Sequence, residues 1–504
     1  SNLFRGMEGI VMIRRKWDRV VPLPKKVEFG EDLIELGNDW NLVGVEEFPE
    51  VRKKWSSAFR LSEGSNDKAV SLTLCDLDKE AYEISISDKD IKVRAGSEVG
   101  FDYALQTLWQ LSPDGRILKG EIADSPDLKM RGFHVNFDSY RQMDIHEAKY
   151  AIKNAAKLKL NTILLEYAER FPYEKHSSIK APSALSKEEV EELVETARDN
   201  NIEVIPLQQS IGHLNYLLRH DKYAWIREED IRKDQLCPLN PDAFKVFTEL
   251  AEEVIQLHPG IRYFHIGGDE ARRLGTCPKC KEKVEKYGVS RFYIDYINSV
   301  SQWLSERGLT PIIWDDMLCA HPEALDDLDR RITIMYWEYW TTSKESPYFI
   351  ARYNRRGQPV TTYDERWDSE WTDELTDLER SIMKTFARGV PLEESLGKEF
   401  MDLYGPYLGD KFPKRIKGYP YLEFYMDKGF KVIGAPTTLG NGDSYHTLPN
   451  YWRFIPNIRT ACERAHEAGA EGVITTAWYN YIPLMFHFGL AATAHFAWGL
   501  PEER

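Results

Sequence analysis

From residue 132 onward the chain alternates short apolar runs with amphipathic helical stretches, and that alternation leaves few folds open. Eight runs read as strands: Gly132 to Phe137, Thr162 to Glu166, Glu203 to Leu207, Tyr263 to Ile266, Pro311 to Trp314, Ile332 to Trp337, Lys431 to Ala435 and Gly472 to Trp478. Helical periods lie between most of them, at Ile145 to Lys159, Lys187 to Asn200, Pro241 to Leu257, Arg291 to Arg307 and Ile458 to Ala468. Apolar residues spaced three to four apart mark a helix with one buried face, whereas a short continuous apolar run suits a strand covered on both sides. Strands that each return through a helix predict an α/β chain built as a (β/α)8 barrel rather than a doubly wound sheet.

Residues 15–125 follow another pattern. Val70 to Leu74, Tyr82 to Ser87 and Ile91 to Arg94 alternate apolar and polar residues, as half-buried antiparallel strands do, and Gly100 to Leu111 reads as an amphipathic helix. This predicts a small α+β domain without chemistry of its own. Asp124-Ser125-Pro126-Asp127 reads as the linker, so residues 126–504 form the second domain. Within it, the stretch from about 340 to 427 is too long for one connection and is expected to be a helical insertion.

Barrel enzymes carry their chemistry at the carboxyl ends of the strands. Here those positions are loaded: Asp138 and Tyr140, Glu166 and Glu169, Gln208 and His213, Asp269 and Glu270, Trp314 with Asp315 and Asp316, Trp337 with Glu338, Asn441 with Asp443, and Trp478 with Asn480. The sharpest of these sites is His265-Ile266-Gly267-Gly268-Asp269-Glu270. Adjacent residues on a strand point to opposite faces, so both carboxylates can face one cavity only if the chain bends. The two glycines tolerate the angles such a bend needs. Taken alone, Gly-Gly-Asp-Glu fits a solvated acidic turn at least as well as a catalytic pair.

Together these motifs resemble glycoside hydrolase family 20, the β-N-acetylhexosaminidases. Gly100-Phe101-Asp102-Tyr103-Ala104-Leu105-Gln106-Thr107-Leu108-Trp109-Gln110-Leu111 resembles the end of that family's amino-terminal domain, and Met130-Arg131-Gly132-Phe133-His134 its entry into the barrel. His265 to Glu270 resembles its catalytic signature. Leu165-Glu166-Tyr167-Ala168-Glu169-Arg170-Phe171-Pro172-Tyr173 and Ile205 to His213 are closer to the hexosaminidase D-like branch. The resemblance implies an exo-acting, retaining enzyme in which the sugar's 2-acetamido oxygen displaces the aglycone, one of the exceptions to the two-carboxylate scheme. It implies Glu270 as general acid and base, its pKa raised by burial and neighbouring charge, and Asp269 as the carboxylate that orients the acetamido group. It further implies Arg131 on the sugar's 3- and 4-hydroxyls, His213 and Glu169 supporting the carboxylates, and Trp314, Trp337 and Trp478 walling the sugar. Asp443 carries over after the seventh strand.

Two positions depart from that pattern. Asn441-Gly442-Asp443 lacks the tyrosine expected to bond the acetamido oxygen, leaving Tyr445, Tyr336 and Tyr479 as substitutes. Trp478-Tyr479-Asn480 has an amide where many members have a glutamate on the 4- and 6-hydroxyls, so Asn480 leaves the choice between GlcNAc and GalNAc open. Other readings stay in play: a sugar-binding protein on a degenerate scaffold, or a metal-dependent barrel hydrolase using Asp269, Glu270, His213 and Asp315. Cys277-Pro278-Lys279-Cys280 could be half of a zinc site, with Cys237 able to approach, but two free thiols or a redox-labile pair are the favoured reading and neither metal nor cofactor is expected.

A net charge of −15 argues against nucleic acid or an anionic membrane as partner. The expected partner is an N-acetylhexosamine-terminated glycan or glycoconjugate, and a homo-oligomer is compatible with the sequence. The first seventeen residues do not read as a secretory signal, and six cysteines are too few for a disulfide framework in so long a chain, so a cytoplasmic location is expected.

Overall fold

The computed structural model describes residues 20–62, 66–137, 143–351, 360–368, 370–386, 390–418, 420–439, 449–478 and 487–500. They form two compact units. The first takes in residues up to Lys129 together with Asn154–Leu160 and the segment from Ala494; the second takes in Met130–Lys153 and Asn161–Thr493.

The first unit is a six-stranded sheet of β1 (Lys26–Glu35), β2 (Trp40–Val43), β3 (Lys68–Leu74), β4 (Tyr82–Ile86), β5 (Asp90–Ala95) and β6 (Arg116–Asp124), in the order β1-β6-β4-β5-β3-β2. β4 and β5 show the clean alternation of a sheet with one covered face. Helix Glu98–Leu111 starts two residues before the expected Gly100, because the Ser97 side chain accepts the Val99 N–H and caps it. That helix and Pro49–Phe59 share one core with the sheet, anchored by Trp40, Trp55, Phe101 and Trp498.

Eight parallel strands build the second unit: β7 (Met130–Asn136), β8 (Thr162–Glu166), β9 (Glu203–Leu207), β10 (Tyr263–His265), β11 (Thr310–Trp314), β12 (Thr333–Trp337), β13 (Lys431–Ala435) and β14 (Gly472–Ala477). Each pairs with its sequence neighbour, and β14 pairs with β7, so the sheet closes into the (β/α)8 barrel. Its interior is filled rather than hollow, with Leu164, Ile205, Ile312, Trp314, Met335 and Ile474 among the packed side chains. Between β12 and β13 the connection carries helices Asp377–Phe386, Leu392–Tyr404 and Tyr421–Asp427. It also holds two ribbons, Glu345–Ser346 with Ile416–Lys417 and Tyr348–Ala351 with Val360–Tyr363, which add strand to the helical insertion expected there. No helix among the described residues is long and apolar enough to cross a membrane.

β10 is only three residues long, and what stops it shapes the site. Gly267, Gly268 and Glu270 all have positive φ, at 65°, 86° and 49°. A Cβ on Gly267 would lie 1.8 Å from Gln209 Oε1, and one on Gly268 2.9 Å from the Tyr293 hydroxyl. Both positions therefore exclude a side chain on steric as well as conformational grounds. Tyr293 donates to the Gly268 carbonyl at 2.7 Å and Trp314 N–H to the Gly267 carbonyl at 3.0 Å, which fixes the bend.

Candidate active site

The bend sends both carboxylates toward one imidazole. His213 Nε2 lies 3.1 Å from Asp269 Oδ2 and 3.4 Å from Glu270 Oε2. The histidine reaches them from the loop after β9, itself at positive φ (52°), and that loop is tied to β10 by the bond from Ser210 N–H to the Ile266 carbonyl. Asp269 Oδ1 is buried and has no hydrogen-bond partner among the described residues. Arg272 Nη2 donates to Glu270 Oε1 at 2.5 Å, and the Glu270 N–H donates to Asp316 Oδ2 at 2.8 Å.

These contacts order the protons. The Asp269 charge, followed by hydrogen bonds to both carboxylates, holds the His213 imidazolium well above its usual pKa against the opposing effect of burial. Glu270 moves the other way from the expectation. Its hydrogen bond to His213 outweighs burial, and the charges of His213 and Arg272 add to it, so its carboxyl sits below the usual range. Burial and then the Asp269 charge push Asp316 up to about 7.

Beyond the pair, the strand ends form a connected rim. Trp337 Nε1 donates to Asp316 Oδ1 at 3.3 Å, and its ring lies 5.1 Å from that of Tyr339. Tyr339 Oη accepts from Trp478 Nε1 at 2.8 Å, and the Trp478 ring lies 5.7 Å from Trp314 and 4.8 Å from His134. His134 Nε2 in turn lies 3.3 Å from Glu166 Oε2. Burial pushes the Glu166 carboxyl up, but His134, His213 and Gln209 together bring it below the usual range.

The structure thus brings Asp269, Glu270, His213, Trp314, Trp337 and Trp478 to one end of the barrel. Arg131 is not among them. It is the second residue of β7, in register with Val473 near the start of β14, and its N–H donates to Asn161 ahead of β8. At about 3.3 Å per residue, the five remaining positions of β7 separate it from the catalytic end by more than an arginine's length. Glu169 is buried in the turn after β8, where its charge acts on Tyr173 and Tyr216. Those tyrosines bond Gln208 rather than the carboxylate pair. Tyr336 is excluded as the acetamido tyrosine, since its hydroxyl accepts from Arg464 of helix Tyr451–Ala468. Asp315 is likewise taken up elsewhere, by Trp337 N–H, Cys319 Sγ and Tyr425 Oη. Asp443 and Asn480, with Asp138, Tyr140, Asn441, Tyr445 and Tyr479, lie outside the described residues. The strand-end rule marks Asp316 and Glu166 without assigning them a role, whereas nothing in the sequence singles out Tyr339 or His134 as a site residue.

The bridge has a testable pH signature. A histidine with a raised pKa in the folded state contributes stability that is complete below its unfolded value of about 6.5 and is lost as pH rises through the folded one. Glu270, depressed, contributes stability present above about 4.3 and lost as pH falls through its folded value. The melting-temperature difference between wild type and His213→Asn is therefore largest between these limits and shrinks on the alkaline side. A difference that stays flat from acid to alkali would show that His213 acts by packing alone.

A closed (β/α)8 barrel with a histidine-bridged carboxylate pair at its strand ends defines the class. The sequence matches "Glycosyl hydrolase family 20, catalytic domain" over residues 129–360 and "Glycosyl hydrolase family 20, domain 2" over residues 18–125, and the chain belongs to that family. Among curated relatives, hexosaminidase D of Bos taurus is 34% identical over 171 residues, 33% of this chain and 49% of that protein. Hexosaminidase D of Homo sapiens is 30% identical over 190 residues, 36% of this chain and 39% of that protein. The match thus spans half or less of these relatives' length. The crystal structure of β-N-acetylhexosaminidase from Bacteroides fragilis NCTC 9343 superposes with a TM-score of 0.65 at 17% identity, covering 96% of this chain and 92% of that one, a likeness of fold.

Proposed function

We propose that the chain is an exo-acting, retaining β-N-acetylhexosaminidase that works by substrate-assisted catalysis, with residues 126–504 as the catalytic part. The observation that carries this is the unpartnered Asp269 Oδ1, buried beside a carboxylate that shares a histidine with it. A buried acceptor with no donor is costly unless a ligand supplies one, and the N–H of a 2-acetamido group is such a donor. Asp269 turns the acetamido oxygen toward the anomeric carbon and balances the positive charge of the oxazolinium ion as it forms. Glu270 protonates the departing glycosidic oxygen, then takes a proton from the water that opens the intermediate. The contacts that hold its carboxyl below the usual range in the free protein, first the hydrogen bond to His213, have to loosen around a bound sugar for Glu270 to act as the acid. An aglycone that displaces water from around the carboxyl shifts it upward, in the direction the acid role needs.

Trp314, Trp337 and Trp478 wall the sugar, Tyr445 or Tyr479 meets the acetamido oxygen, and Asp443 and Asn480 read the outer hydroxyls. Arg131 has a structural role in this scheme, and Glu169 supports the site through the Tyr173–Gln208–Tyr216 network. The substrate is an N-acetylhexosamine-terminated glycan or glycoconjugate. Cysteines that are all unpaired among the described residues fit the cytoplasm.

Release of p-nitrophenol from the β-N-acetylglucosaminide, the β-N-acetylgalactosaminide and the plain β-glucoside tests the reading. Turnover is expected on the acetamido sugars alone, and the ratio of their kcat/KM values gives the sugar preference. Equal turnover of the β-glucoside, or none on either acetamido sugar by folded protein, would defeat it.

A further inference from the structure

Three cysteines, Cys277 and Cys280 within one helical turn and Cys237 forty residues before Cys277, meet beside a buried glutamate. Cys277 is the N-cap of helix Pro278–Tyr287, where its sulfur accepts the Cys280 N–H, and Cys280 sits in that helix's first turn. Cys237 arrives from the segment ahead of helix Pro241–Gln256, with its sulfur 3.7 Å from Cys277 Sγ and 3.3 Å from Cys280 Sγ. Glu228 completes the group. One ligand atom from each of the four residues can be chosen so that all lie within 4.8 Å of one another.

We propose that Glu228, Cys237, Cys277 and Cys280 bind a structural zinc ion. Tetrahedral zinc with Zn–S bonds of about 2.3 Å places its sulfurs about 3.8 Å apart, whereas a disulfide needs about 2.05 Å. The observed separations belong to the first geometry.

The glutamate gives an independent reason. Its Oε1 accepts the N–H groups of Thr276 and Cys277 at 2.8 and 3.1 Å, which aims the carboxylate at the cysteine turn. Its Oε2 is buried without a hydrogen-bond partner among the described residues. The surroundings offer little compensation, because Leu239, Leu274, Val284 and Phe292 pack around the sulfurs. The two N–H groups satisfy Oε1, but for Oε2 the neighbours are thiols, which are weak donors, and a cation is the stronger partner for a buried carboxylate oxygen there. Thiolate-rich sets of four with no open position select zinc for structure, not for chemistry on a substrate.

The ion's place in the fold says what it would do. It would staple the 228–237 segment to the turn at 276–280, which begins six residues after Glu270. The same two segments are joined by Arg273, whose guanidinium reaches Glu229 at 2.6 and 2.9 Å and whose N–H donates to Gln235. The 228–237 segment also flanks His213, through Leu214 N–H to the Asp234 carbonyl and Leu236 N–H to the Ile211 carbonyl. Zinc would therefore brace both loops that present the carboxylate pair and its histidine.

The test is the metal content of the full chain, purified under reducing conditions with zinc in the growth medium and measured by inductively coupled plasma mass spectrometry. About one zinc per chain is expected, falling at least tenfold in Cys237→Ser and Cys280→Ser and unchanged in Cys462→Ser. Should the serine variants fail to fold, wild type answers by itself. Cobalt exchanged into the site gives sulfur-to-metal charge-transfer absorption, and a mercurial releases the zinc to a chromophoric chelator. A reduced, folded chain that holds no zinc, takes up none when reconstituted, and shows no such absorption with cobalt overturns the proposal, as does a disulfide between any two of the three cysteines in that preparation. None of these readouts depends on turnover, so they stand whatever sugar the protein cleaves.

Discussion

Glu270→Gln lowers kcat/KM on an N-acetylhexosaminide with a plain alcohol as leaving group by about 10²–10⁴, the range that positioned proton transfer supplies. Glutamine keeps the shape of the side chain, and the backbone N–H that anchors residue 270 to Asp316 Oδ2 is untouched, so the fold should hold. What is lost is the group that delivers the proton to the glycosidic oxygen. An alcohol cannot depart as an alkoxide at useful rates, whereas p-nitrophenolate needs little help. The fall should accordingly be larger for the alcohol than for the p-nitrophenyl glycoside when formation of the intermediate limits the rate. The same variant should also release its intermediate slowly, since no base remains to activate water, and a burst of p-nitrophenol ahead of a slow steady state is the signature. Equal losses on both leaving groups without a burst would remove Glu270 from the acid role. Because Glu270 is held below the usual carboxylate range in the free protein, the alkaline limb of the wild-type profile should report the shared proton of the cluster, not a raised pKa of Glu270 itself.

The barrel was legible because its strands are covered on both faces and so read as continuous apolar runs, from Thr162–Glu166 through Gly472–Ala477. β1, β2 and β6 were not legible. β1 is exposed along most of its length and carries a register shift between Phe29 and Leu33, so no clean alternation survives in its sequence. In the site, the two glycines before Asp269 announced the bend, since a positive φ leaves a compositional mark. The depression of Glu270 left none, because it depends on Arg272 folding back and on His213 arriving from another loop. Arg131 shows the converse error. Sequence likeness placed it on the sugar, while its register at the start of β7 places it at the other end of the barrel. The Cys277–Cys280 turn was visible as half of a site, but its completion by Cys237 and by Glu228, forty-nine residues before Cys277, is a tertiary fact.

Asp269→Asn is expected to lower kcat by about 10²–10³, the scale of removing one preorganised charge-stabilising group, while KM changes little. An amide keeps the shape but loses the charge that faces the oxazolinium ion. It also leaves an uncharged oxygen or an N–H where the carboxylate met His213 Nε2 at 3.1 Å. Two routes could produce such a loss. Asp269 could act on the sugar, or only through His213, whose raised pKa owes most to the Asp269 charge. His213→Asn separates them. If Asp269 served only to keep the imidazole protonated, His213→Asn would reproduce the whole loss, and adding Asp269→Asn to it would cost nothing more. If Asp269 grips the acetamido group, the double variant falls well below either single one. Fluorinating the substrate's N-acetyl group supplies the remaining control. Each fluorine weakens the acetamido oxygen as a nucleophile, so wild-type kcat should drop steeply along the series. A flat series would mean that the acetamido group does not attack, and the buried, unpartnered Asp269 Oδ1 would then need another occupant.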